Sequence, residues 1–165
     1  MAVRTVVHEV FGEVEFDPEN DENWWESEVG LDGRTIPVSL LFEGAAVDDG
    51  LLDGLAPYVT DLPELARTAR AAILADLAEE PSEVGEYIEH HLEEPSIVDE
   101  VFGGTVPDTE GFLAQLSLVR VVIHRADSRL GYEAVLDHSI GEEATQYILA
   151  VKFDGNRVTH LTTES

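Results

Sequence analysis

The sequence predicts an α+β domain with a mainly antiparallel sheet, on three observations. A hairpin signal stands near the N-terminus, two amphipathic helical stripes occupy the middle, and four strand-like segments with short links fill the last third. Strands, then helices, then strands is the order of an α+β domain, not of alternating strand–helix units. At 165 residues, the chain has the size of a single domain spanning 1–165.

The hairpin rests on Asp32-Gly33, because Asp and Gly tolerate the positive φ that a two-residue type I′ turn demands. With that turn, residue i opposes residue 65 minus i, so Leu31 meets Arg34, Val29 meets Ile36, Ser27 meets Val38 and Trp25 meets Leu40. The register puts Trp25, Val29, Ile36, Val38, Leu40 and Phe42 on one face and Glu26, Glu28 and Thr35 on the other. Pro37 has no donor, so its nitrogen belongs at an edge or a non-bonded position. Before the hairpin, Val10, Gly12, Val14 and Phe16 alternate with Phe11, Glu13 and Glu15 as a further strand, and Asp17 to Asn23 reads as a loop. Between Glu43 and Thr60 the pattern is mixed, with a short helix after Asp48 or Asp49.

A firmer helix runs from Leu62 to about Glu79, with Asp61 as its cap, Glu64 as the reciprocal partner, and a stripe of Leu62, Leu65, Ala66, Ala69, Ile73 and Leu77. A second, Glu83 to Glu94, follows Pro81-Ser82 and is closed by Pro95, with Val84, Tyr87, Ile88 and Leu92 at helical spacing. A loop rich in Gly and Pro comes next, then a short helix after Asp108 using Phe112, Leu113 and Leu116. Leu118 to Arg125, Tyr132 to Ile140, Tyr147 to Phe153 and Arg157 to Thr163 read as strands. Their short links allow only antiparallel neighbours, which makes them a C-terminal β-meander.

Charge narrows the function classes. Thirty-five acidic against nine basic residues leave a net charge of -26, while a hydrophobic fraction of 44% argues against disorder. Size scaling gives a folded surface of about 8,000 Å², hence roughly one net negative charge per 300 Å². Such a field repels nucleic acid and anionic lipid and attracts cations or basic protein surfaces. The chain has no Cys, which excludes disulfides and thiolate chemistry. Neither a signal-peptide stretch nor a membrane span is apparent, so the cytoplasm is the expected location.

Chemistry-bearing residues concentrate in Glu86-Tyr87-Ile88-Glu89-His90-His91-Leu92-Glu93-Glu94. Helical phase puts His91 near the centre of the apolar arc and turns His90 to the flank, so the two cannot form the i, i+4 pair of zinc peptidases. Glu86, His90 and Glu94 do share i, i+4 spacing, and a site would need partners from elsewhere, such as His138 on its strand. His124 and His160 stand on neighbouring strands. The ordinary reading is that His91 and His138 are packed and bonded to backbone or water while His90 is solvated. Carboxylate pairs arise by chance among 35 acids and identify no general acid or base. Asp154-Gly155-Asn156 is a turn and not a calcium loop, Gly103-Gly104 lacks the Gly-Lys-Ser/Thr of a phosphate loop, and no Gly-x-Ser-x-Gly elbow occurs. With Trp25 in the hairpin core, Trp24 points the other way, either against a second layer or at a binding surface.

Phe11-Gly12-Glu13-Val14, the Trp24-Trp25 hairpin, Glu86 to His91, and Tyr147-Ile148-Leu149-Ala150-Val151-Lys152-Phe153 through Thr163-Glu164-Ser165 resemble the uncharacterised bacterial family catalogued as domain of unknown function 2004. The resemblance spans nearly the whole chain and implies a bacterial intracellular domain, with no activity, cofactor or site residues to transfer.

Three function classes follow. The first is a non-catalytic, protein-binding or regulatory domain, an inhibitor-like partner of a basic protein, with Trp24, Trp25, Glu79, Glu80, Glu93 and Glu94 as candidate contacts and no cofactor. The second is a metal-dependent hydrolase built on Glu86, His90, His91 and His138, with His90, Glu94 and His138 as metal ligands. The third is a structural subunit of a homo-oligomer, such as a dimer, which dense charge opposes unless the contact patch is neutral. A solvated acidic surface suited to salty cytoplasm would account for the composition without a partner, and one Lys beside eight Arg agrees with that.

Overall fold

The computed structural model describes residues 3–43 and 47–165, so the first part of the mixed stretch after Glu43, residues 44–46, lies outside the described residues. Strands β1 (Arg4–His8) and β2 (Gly12–Phe16) form a separate antiparallel pair. The expected strand from Val10 therefore begins at Gly12, whose φ of 67° belongs to the turn. Phe11, expected on the polar face, is buried at that turn. Its ring meets Trp25 edge-on at 4.9 Å, and its carbonyl accepts a 2.9 Å hydrogen bond from the Trp25 indole.

Strands β3 (Glu22–Leu31) and β4 (Arg34–Glu43) pair in the expected register throughout, and Asp32 and Gly33 have φ of 51° and 76°. Counting outward from the turn, Pro37 falls opposite Glu28 at a non-hydrogen-bonded pair. On its other side β4 pairs with β5 only from Val38, so no ladder bond asks Pro37 for a proton.

The helices are α1 (Asp49–Leu55), the single turn α2 (Pro57–Thr60), α3 (Leu62–Asp76), α4 (Glu83–Leu92), α5 (Pro95–Phe102) and α6 (Thr109–Gln115). Asp48, Ser82 and Asp108 cap α1, α4 and α6, each side chain accepting a 2.8 Å bond from the N–H three residues on. Asp61 differs from expectation. Because α2 runs almost directly into α3, its backbone sits at φ −102°, ψ 16°, its side chain makes no cap bond, and Glu64 pairs with Arg67 instead. Helix α3 stops at Asp76, short of Glu79. The Asp76 carboxylate bonds Ser82 Oγ and Val84 N at 2.8 Å and so joins α3 to α4. The loop expected after Pro95 is in fact helical: Pro95 starts α5, Ile97 and Val98 are buried, and Gly103 ends it at φ 69°. Proline at a first helical position loses no hydrogen bond, so the same residue that closes one helix opens the next.

Strands β5 (Ser117–Arg125), β6 (Tyr132–Ser139), β7 (Ile148–Asp154) and β8 (Arg157–Glu164) form the meander. The sheet order is β3-β4-β5-β6-β7-β8, antiparallel except for the β4–β5 pair. One buried cluster joins the two layers, with Leu52, Leu62, Leu65, Ala69, Ile73, Tyr87 and Phe112 from the helices meeting Val38, Leu40, Val121, Ile123, Leu136 and Val151 from the sheet. The fold is α+β.

Candidate functional site

Helix α4 has two faces because its apolar residues recur every three or four positions. Val84, Tyr87, Ile88 and His91 point inward, while Glu83, Glu86, Glu89 and His90 stay in solvent. The β6–β7 connection lies against the helix. Tyr87 Oη donates a 3.0 Å bond to the Tyr147 carbonyl, and the exposed His90 ring stands edge-on to the Tyr147 ring at 4.8 Å.

Beneath this surface His91 is fully buried. Burial lowers its pKa, its Nδ1–H donates to Tyr87 O at 2.7 Å, and Nε2 accepts from Thr145 Oγ1 at 2.9 Å. Thr145 Oγ1 in turn accepts from Tyr147 N at 3.1 Å. This chain of bonds satisfies a neutral imidazole at both nitrogens and seats Tyr147 next to His90.

Two shallow hollows of about 330 Å³ each meet at His90 and Tyr147. Glu83 and Glu86 border one, and Glu94 with Ile97 borders the other. The structure thus brings Glu86, His90 and Glu94 to one surface. It leaves His138 in the interior, 3% exposed, with Nδ1 near the carbonyls of Leu136 at 3.0 Å and Leu149 at 3.3 Å. Burial pushes the His138 pKa down to about 4. Exposed His90 and interior His138 do not meet, and among the described residues no three His, Asp or Glu side chains are placed to hold a metal ion.

The remaining candidates are scattered. Glu79 and Glu80 are exposed ahead of α4, Glu93 caps its end, and Glu94 precedes α5. Trp25 is half-buried in the core, whereas Trp24 is 50% exposed on the opposite face of the sheet, beside Glu26, Ser39 and Val122. Among the described residues no second layer covers Trp24, and the helices pack on the Trp25 side.

Charge is segregated. Residues 71–119 contain twelve carboxylates and no Lys or Arg, and none of the twelve makes an ion pair among the described residues. On the outer sheet face, by contrast, Asp137 and Glu142 both hold Arg120, at 2.7 and 2.8 Å, and Glu164 lies 3.7 Å from Lys152. Sequence reasoning missed Tyr147 and Thr145, which lie more than fifty residues from α4 in the chain. Only tertiary packing reveals them. No protein-family model, curated protein or solved structure matches the chain.

Proposed function

We propose that this is a non-catalytic domain that docks a basic protein through the acidic face around His90 and Tyr147. The observation that carries this reading is the segment of residues 71–119, which has no Lys or Arg and whose carboxylates make no ion pair among the described residues. A basic segment would find Glu83, Glu86 and Glu94 around a half-buried aromatic ring, and an Arg can lie over Tyr147 while its charge meets those acids. Nucleic acid and anionic lipid would be repelled. The hollows are open and shallow, as suits protruding side chains and not an enclosed reaction. Among the described residues no helix is long and apolar enough to cross a membrane, and the reading takes the encounter to occur in the cytoplasm. The hydrolase alternative has less support, since its histidines are divided between surface and interior.

An Arg-rich model peptide titrated into the isotopically labelled protein tests the reading. Amide shifts confined to α4, α5 and 144–147, abolished by Glu86→Lys with Glu94→Lys, are expected. Shifts spread evenly over the acidic surface, or a charge-reversed variant that binds equally well, would refute it.

A further inference from the structure

A second cleft, of about 700 Å³, lies at the other end of the sheet, between the α2–α3 junction and the β5–β6 and β7–β8 turns. Its volume is within the range of small-molecule sites. Pro57, Tyr58, Leu65 and Leu130 supply apolar surface, and Leu130 is 40% exposed at the rim. The wall is fixed to the turn: Tyr58 Oη accepts from Gly155 N at 2.8 Å and donates to Phe153 O at 3.4 Å.

The turns also seat a cation. Gly155 has φ of 64° and no side chain, and a Cβ there would stand 3.5 Å from Arg129 Nη2 and 3.9 Å from Leu130 Cδ1. Both side chains therefore lie across the turn at ordinary contact distance, the positive φ and not the lack of a Cβ being what favours glycine there, while Arg129 N donates to Asp154 Oδ2 at 3.2 Å. Despite 35 carboxylates in the chain, the Arg129 guanidinium has no ion pair among the described residues. On the helical wall stands Asp61, at a helix N-cap position but making no cap bond, with Glu64, already paired with Arg67, beside it. A capping bond is the usual employment of an Asp there.

We propose that this cleft binds a zwitterion with an apolar body, either an apolar amino acid or a short apolar peptide, with its carboxylate on Arg129 and its ammonium on Asp61. A simple anion would leave Asp61 facing it and would be repelled by the net charge of -26. A simple cation would leave Arg129 unpaired. A zwitterion answers both walls and carries no net charge into the field.

Amide shifts of the whole chain, followed at about 0.15 M salt, where the screening length of about 8 Å damps the distant field more than contact ion pairs, test the proposal with leucine, dileucine, trileucine, N-acetylleucine and leucinamide as probes. Saturable shifts at Asp61, Arg129, Leu130, Gly155 and Asn156 are expected with leucine or the peptides, whichever is tightest identifying the source. Blocking either end, or making Arg129→Ala or Asp61→Asn, should weaken binding about tenfold or more. Both residues are exposed, so an unchanged spectrum elsewhere shows that the variants fold. Equal binding of a blocked probe, indifference to Arg129→Ala, or no saturable shift up to about 10 mM of any probe would overturn the proposal.

Discussion

His138 and His91 are buried where a charge has no counter-ion. Burial lowers both folded-state pKa values, that of His138 to about 4. In the unfolded chain each binds a proton near the ordinary 6.5, so below that pH the unfolded state holds more protons and stability falls as pH falls. For His138 the loss accumulates between about 6.5 and about 4 and reaches roughly 3 kcal/mol. Asp137 acts in the opposite sense, because burial raises its pKa despite Arg120. Between about pH 7.5 and 4.5 the urea midpoint of the native protein should therefore fall relative to that of His138→Leu, relief of carboxylate repulsion being common to both; parallel pH profiles would show that His138 does not contribute. At the same scale, Arg120→Gln leaves the Asp137 carboxylate buried without its cation. Because Arg120 is itself partly exposed, the cost should be about 2 kcal/mol in urea unfolding, less than for a fully buried pair. The inward phase of His91 and the shared face of His138 with Tyr132, Ala134 and Leu136 were legible from periodicity alone. Their bonding partners were not, since Thr145 and Leu149 reach them by folding and not by spacing.

At the element scale the caps divide into working and idle ones. Ser82→Ala and Asp108→Ala should each cost about 1 kcal/mol in thermal or urea unfolding, because each side chain closes an otherwise unpaired N–H. Asp61→Ala should cost much less, having no such bond to lose. Equal losses at all three would contradict the geometry. The same contrast explains which elements were legible. The β3–β4 register followed from one dipeptide and an alternation that agreed with it, and α4 from a stripe with a cap. Strand β1 escaped because its pattern is mostly solvent-facing, with Val7 76% exposed. Helix α5 escaped because Pro95 has two local meanings, and only packing of Ile97 and Val98 decides between them.

Over the whole molecule, self-repulsion and partner attraction respond to salt in opposite directions. Raising salt from about 10 mM to about 1 M shortens the screening length from about 30 Å to about 3 Å. The melting temperature should rise over that interval as repulsion among uncompensated carboxylates is screened, while affinity for an Arg-rich peptide should fall. A melting temperature that is flat in salt would mean that the acidic layer is already spread widely enough not to strain the fold. The composition made the size of this field legible, but not its segregation, which depends on pairing Arg120 and Lys152 to the outer sheet face. The parallel contact between β4 and β5 has a further consequence, for the order of events during synthesis. The β3–β4 hairpin emerges from the ribosome before its partner strand β5, which begins only after residues 44–116 have followed. Closing a segment of that length costs about 4 kcal/mol of chain entropy, so nascent β3–β4 should wait as an open-edged ribbon until β5 arrives. Pulse-labelled amide exchange during refolding should then find the β5–β8 meander protected before the β4–β5 junction.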